Sequence, residues 1–218
     1  MIGGAQNIFP QGREPNIVYN WVDLVNATGY VEYDGIGYID STGNHYGLML
    51  SSMVDELTKD GILYLVGQSH WQGNTSYAKQ HDLDFDLTQN QIPQTIKGTG
   101  YFRLNWILEG GGGIGYGYIV MRVRKWDGAT ETEIASTQGQ EYTAEPGVTE
   151  KLSDLLKITI PGTIIKKGEQ LRITVEVWGK GNDSGNIYKC AFYFDPQDLD
   201  VLGTGSRFQM ALPFKIEV

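Results

Sequence analysis

The run Leu171-Arg172-Ile173-Thr174-Val175-Glu176-Val177-Trp178 alternates apolar and polar side chains, and this period of two most constrains the fold. An extended strand throws successive side chains to opposite faces, so the alternation predicts a half-buried strand whose odd-numbered residues face inward. The same pattern sets Leu83, Phe85 and Leu87 against Asp82, Asp84 and Asp86, predicting a second strand with three carboxylates on its outer face. Other short aromatic or β-branched runs lie between Gly, Asn and Asp: Ile17 to Val22, Gly29 to Tyr33, Tyr101 to Leu108, Gly117 to Trp126, Leu155 to Ile160, Ile187 to Phe194 and Phe208 to Val218. Pro213 in the last of these predicts an edge position or a bulge. The continuous apolar run Ile62 to Val66 reads as a strand covered on both faces. Tyr46 to Leu57 is read as strand, although Met53, Val54 and Leu57 have helical spacing, and Lys151 to Lys157 is left as a connector. About ten strands spaced by about 8–15 residues, with turn residues between them, indicate a two-sheet sandwich or barrel.

Composition supports that class and excludes several functions. The 218 residues include 29 Gly and 13 Tyr, a balance that favours turns and pleated sheet. Lys and Arg number 17 against 26 Asp and Glu, and a net charge of −9 argues against nucleic acid as the main partner. No apolar run reaches the length of a membrane span, so no membrane partner is expected, and Met1-Ile2-Gly3-Gly4 does not open like a signal peptide. Cys190 is the single cysteine, which excludes an intrachain disulfide and a multi-cysteine metal cluster. Residues 1–16, with Phe9-Pro10 and Glu14-Pro15, read as an extended arm before one β-sandwich domain with long loops over residues 17–218.

The motifs that carry chemistry are sparse. Gly110-Gly111-Gly112-Gly113-Ile114-Gly115 matches G-x-G-x-x-G, but an alternating strand follows where a dinucleotide site needs a helix, so the run is read as a flexible hairpin loop. Asp82, Asp84 and Asp86 are a weak Ca²⁺ candidate, against the commoner reading as a solvated or salt-bridged face. His45, His70 and His81 are too far apart to form a spaced metal motif. Ser69-His70 with Asp82 or Asp84 is an imaginable hydrolase set, but it lacks a nucleophile elbow and is disfavoured. No cofactor is expected. Trp71 lies in the polar stretch Gln68 to Thr75, read as a loop, so Trp71 and Tyr77, with Phe9 of the arm, are the expected partner or glycan contacts.

Two segments carry a resemblance. Leu83 to Leu87 through Ile92-Pro93-Gln94-Thr95-Ile96-Lys97-Gly98-Thr99, and Ile158 to Pro161 through Lys167-Gly168-Glu169 to Trp178, resemble the jelly-roll structural proteins of tailed phages and related viruses, as does the ending Leu212 to Ile216. The resemblance is one of strand pattern over about half of the chain. It implies an all-β, antiparallel two-sheet jelly roll in a non-enzymatic virion protein, a small capsid subunit or a capsid decoration protein. Such a protein would be located in the capsid, and its partners would be itself, as a homo-oligomer such as a trimer, and other capsid proteins. The alternative expectation is a carbohydrate-binding β-sandwich module using Trp71, Tyr77 and the aspartate face.

Overall fold

The computed structural model describes residues 17–18, 28–40, 43–51, 66–72, 75–87, 90, 92–183, 185–194 and 207–215. Its elements are β1 (Ile17–Val18), β2 (Thr28–Asp40), β3 (Gly43–Leu50), β4 (Val66–Gln72), β5 (Ala78–Asp86), β6 (Gln94–Glu109) and β7 (Gly115–Trp126). They continue with β8 (Glu131–Gln138), β9 (Tyr142–Ala144), β10 (Thr149–Ile165), β11 (Gln170–Gly181), β12 (Ile187–Tyr193) and β13 (Gln209–Lys215). The protein is therefore all-β, as the period of two requires. The extended arm, Phe9 and most of Ile62 to Val66 lie outside the described residues.

The strands hydrogen-bond in the order β4-β12-β6-β13-β2-β3-β5-β11-β7-β8, with β1 on β2, β10 on β6 and β9 on β7. Among the described residues every pairing is antiparallel except β3 with β5, which meet in parallel through the pair Gly47 and Asp86. The sheet is thus mixed, not purely antiparallel. β6 carries β10 along one side, while its other side takes β13 at Ile96 to Arg103 and β12 at Asn105 to Glu109.

The alternation of β11 is realised with odd residues inward: Leu171, Ile173, Val175 and Val177 are buried. β6 buries Phe102, Leu104, Trp106 and Leu108, and these join the inward residues of β5, β7 and β11 in one cluster. Phe85 of β5 is central, with its ring 5.0 Å from Phe208, 5.4 Å from Phe194 and 6.2 Å from Phe192. Each such side chain contributes about 1.5–3 kcal/mol on burial. Asp154 is buried against the core, where it accepts hydrogen bonds from Trp106 Nε1 and the Tyr142 hydroxyl, both at 2.8 Å. Those bonds offset the cost of burying it.

Three readings of the sequence are corrected. Lys151 to Lys157 is not a connector but part of β10, where Leu152, Asp154 and Leu156 alternate inward. Pro213 meets the expectation of an edge position or a bulge through the second: β13 bonds both β2 and β6, and a register shift between Ala211 and Phe214 on the β6 side accommodates its missing N–H. The stretch Gln68 to Gln72, read as a loop, belongs to β4 and pairs with β12.

The glycine run is the third. It joins β6 to β7, which bond different partners, so it is a crossing between strands and not a hairpin. It is also closely packed. A side chain on Gly111 would strike the carbonyl of Ile187, and one on Gly113 would meet Asn182 Oδ1 and the Tyr188 hydroxyl at 2.5 Å. Gly111 has a φ of 54°, so backbone freedom and close approach are needed together.

Candidate functional site

The outward residues of β5, β11, β7 and β8 form the most highly organised polar surface among the described residues. Even-numbered positions of β11 register with even positions of β7 and β5, so Arg172, Thr174 and Glu176 stand beside Arg124, Arg122 and Val120 on one side and Asp86, Asp84 and Asp82 on the other. Cross-strand neighbours at this spacing bring opposite charges into contact.

Glu176 is at the centre, with its side chain 3% exposed. It accepts from Arg122 Nε at 2.9 Å and Nη2 at 3.0 Å, and from Trp178 Nε1 at 2.9 Å. Burial alone would raise the carboxyl, but the bonds from Arg122 and Trp178 outweigh it and hold Glu176 below the ordinary glutamate value. Arg122 also reaches Glu133 at 2.7 Å, and its guanidinium is pushed up chiefly by the bond to Glu176. A second fork joins Arg172 to Asp86 at 2.7 and 2.8 Å, while the same Arg172 reaches Glu131 at 3.0 Å and lies over the Trp126 ring at 5.0 Å.

The three aspartates are therefore brought to one face, each engaged by protein groups. Asp82 pairs with Lys79, Asp84 accepts from the Thr174 hydroxyl at 2.6 Å, and Asp86 is held by Arg172. Burial raises Asp84 above the usual carboxylate range despite the Thr174 bond and the nearby Arg172. Among the described residues no group of three or more His, Cys, Asp or Glu side chains is placed to hold a metal ion. The arginines were the missed half of this site. Their signal was present in Arg122-Val123-Arg124 and Arg172, which alternate in step with the aspartates.

Beyond Glu176 the face becomes aromatic. Trp178 and Tyr118 stack with an interplanar angle of 3° at 6.3 Å, and Tyr77 packs on Tyr118 at 4.8 Å. The Lys180 ammonium sits between the rings of Tyr77 and Tyr116, at 4.4 and 4.8 Å. Burial, with Glu141 close to its hydroxyl, raises Tyr77 above the usual phenol value. Tyr77 thus belongs to a half-buried aromatic row. Trp71 does not join it: it is 8% exposed, stacks on Tyr188 at 6.0 Å and crosses Gly179, so its ring is engaged in core packing. His70 is exposed on β4, and Asp82 and Asp84 are engaged by Lys79 and Thr174.

No protein-family model and no curated protein matches the chain. Solved structures do. The chain is similar to an aminopeptidase from a marine sediment Thaumarchaeota archaeon at 9% identity and a TM-score of 0.50, covering 87% of this chain and 37% of that one. A CocE/NonD family hydrolase from Staphylococcus aureus aligns at 12% identity and a TM-score of 0.44, over 86% of this chain and 37% of the other. A structure of infectious bursal disease virus reaches a TM-score of only 0.26, at 10% identity over 74% of this chain and 41% of that one. The chain spans 37% of the length of the aminopeptidase.

These findings correct the expectation of a non-enzymatic virion protein residing in a capsid. The strand pattern that suggested a phage jelly roll has its stronger structural counterpart within a hydrolase, and the viral likeness is too weak to argue from. An alternating β-sandwich pattern reports packing and leaves function open, because many functions share one fold.

Proposed function

We propose that this chain is a two-sheet, jelly-roll β-sandwich unit of a hydrolase that cleaves aminoacyl bonds. The two-sheet reading is supported by the parallel pair between β3 and β5, a natural fold line, and by the ring contacts of Phe85 with Phe192, Phe194 and Phe208 across the core. The observation that carries the function is the likeness of 87% of this chain to about a third of an aminopeptidase. The ion-paired surface fits a unit that supports a catalytic partner, on the same or another polypeptide. Its carboxylates and guanidiniums satisfy one another, leaving a rigid scaffold in place of a reactive group.

The test is immunoprecipitation of the protein from the cells that make it. The precipitate is assayed against aminoacyl p-nitroanilides and aminoacyl esters, beside a mock precipitate. Hydrolysis that travels with the protein and is depleted from the supernatant is expected. A precipitate that holds the protein and no hydrolytic activity above the mock overturns the proposal.

A further inference from the structure

We infer that the outward face of β6, β10 and β13 is a docking surface for an acidic polypeptide segment carrying a large apolar side chain. The chain has a net charge of −9, yet this face presents Lys97, Arg103, Lys157 and Lys215, with Glu109 at its end and Glu32 of β2 beside Arg103 in its groove.

Among these cations lie large apolar groups open to solvent. Leu155 is 66% exposed, Ile164 56% and Tyr101 36%, and Lys157 stands over the Tyr101 ring at 5.8 Å. Beside them Glu32, Tyr101, Arg103, Leu155, Gln209 and Ala211 are among the residues that line an open groove of about 190 Å³, so one carboxylate and one guanidinium border it. That is smaller than the ~300 Å³ at which small-molecule pockets begin, so one inserted side chain suits it better than a whole ligand. A nucleic acid would match the charge but leave Leu155 and its groove without an apolar partner. An acidic segment with one apolar anchor matches both features, with the anchor desolvated in the groove and its carboxylates on the rim. At physiological salt, charges beyond about 8 Å are largely screened, so the basic face acts locally despite the acidic whole.

The experiment titrates the full chain into a fluorescein-labelled Glu/Asp-rich peptide with one central Phe and follows anisotropy. Parallel titrations use the same peptide with Ser for Phe and an oligothymidylate. Saturable binding is expected, weakened about tenfold or more between about 0.05 and 0.5 M salt. The Phe-to-Ser peptide should bind about tenfold more weakly. Arg103→Glu and Lys157→Glu should each cost about tenfold, whereas Lys167→Glu in the turn before β11 should bind as the parent does. Thermal unfolding of each variant confirms that it is folded. The inference is overturned by no binding at millimolar peptide, equal binding of the Ser peptide, tighter binding of the oligothymidylate, or parental binding by folded Arg103→Glu and Lys157→Glu.

Discussion

Replacing Glu176 tests whether the ion-paired face is structural. Its side chain is 3% exposed and receives two bonds from Arg122 and one from Trp178. Removing one partner of a buried charged pair costs about 3–5 kcal/mol, because the other charge is left without compensation. Arg122, however, is 23% exposed and keeps Glu133 at 2.7 Å, which moves the expectation to the low end. Glu176→Ala should therefore cost about 3 kcal/mol, and Glu176→Gln, which retains an acceptor for the Trp178 indole, about 2 kcal/mol. For a chain of this length, about 3 kcal/mol corresponds to a fall of about 6–12 °C in Tm. Urea unfolding at pH 7 should show a lower midpoint with an unchanged slope. The pH arm has a definite sign. The folded carboxyl lies below its unfolded value, so its contribution is full above about pH 4.3 and is lost as pH falls through the folded pKa. Glu176→Gln should flatten the acid limb of the stability profile in that window. Midpoints within about 0.3 kcal/mol of the parent for both variants, or an unaltered acid limb, would refute the reasoning.

Three further outcomes follow. Gly111→Ala should be severely destabilised or insoluble, since its Cβ meets the Ile187 carbonyl at a positive φ, whereas Gly128→Ala, with φ 97° and open space around it, should lose only about 1 kcal/mol; urea unfolding compares them. His81 is held below its ordinary value chiefly by burial, with Asp82 opposing, and its Nε2 has no hydrogen-bond partner. The unfolded chain therefore binds the proton more readily, and stability should fall as pH drops below about 6.5 and level off once the folded imidazole also titrates; His81→Gln should remove that slope in urea midpoints taken across the range. Trp71→Ala should cost about 3–5 kcal/mol in unfolding experiments, as for a core aromatic; an unchanged Tm would restore it to the surface.

What was legible in the sequence follows from which physics is local. The alternations of β5, β6, β7 and β11 were readable because burial on one face imposes a period of two whatever the partner strand. β4 was not, since Gln68-Ser69-His70-Trp71-Gln72 is polar, and it is held by backbone pairing to β12 and by Trp71 on Tyr188, both distant in sequence. β8 went unread because Glu131 to Gln138 has little apolar content and is recruited by carboxylates that meet Arg122, Arg124 and Arg172. The glycine run looked flexible because Gly residues in sequence advertise freedom; in the fold the same residues are chosen because nothing larger fits between Ile187, Asn182 and Tyr188.

The site was half legible for the same reason. The row of Asp82, Asp84 and Asp86 is a one-strand pattern, but its meaning depends on what two other strands place opposite it. Arg172 lies 86 residues from Asp86, and only the register of β11 against β5 brings the fork together. Once the cations are in place, the metal reading loses its driving force: carboxylates whose lone pairs are taken by guanidinium and hydroxyl donors must release those partners before they can bind a cation. The misread function has a parallel origin. An alternating strand pattern is a solution to burying one face of a sheet, open to many functions, so it constrains architecture long before it constrains chemistry. The ion-paired face of β5, β7, β8 and β11 likewise exists only after the strands have been laid in register, because Arg122 meets Glu176, and Arg172 meets Asp86, from strands distant in sequence.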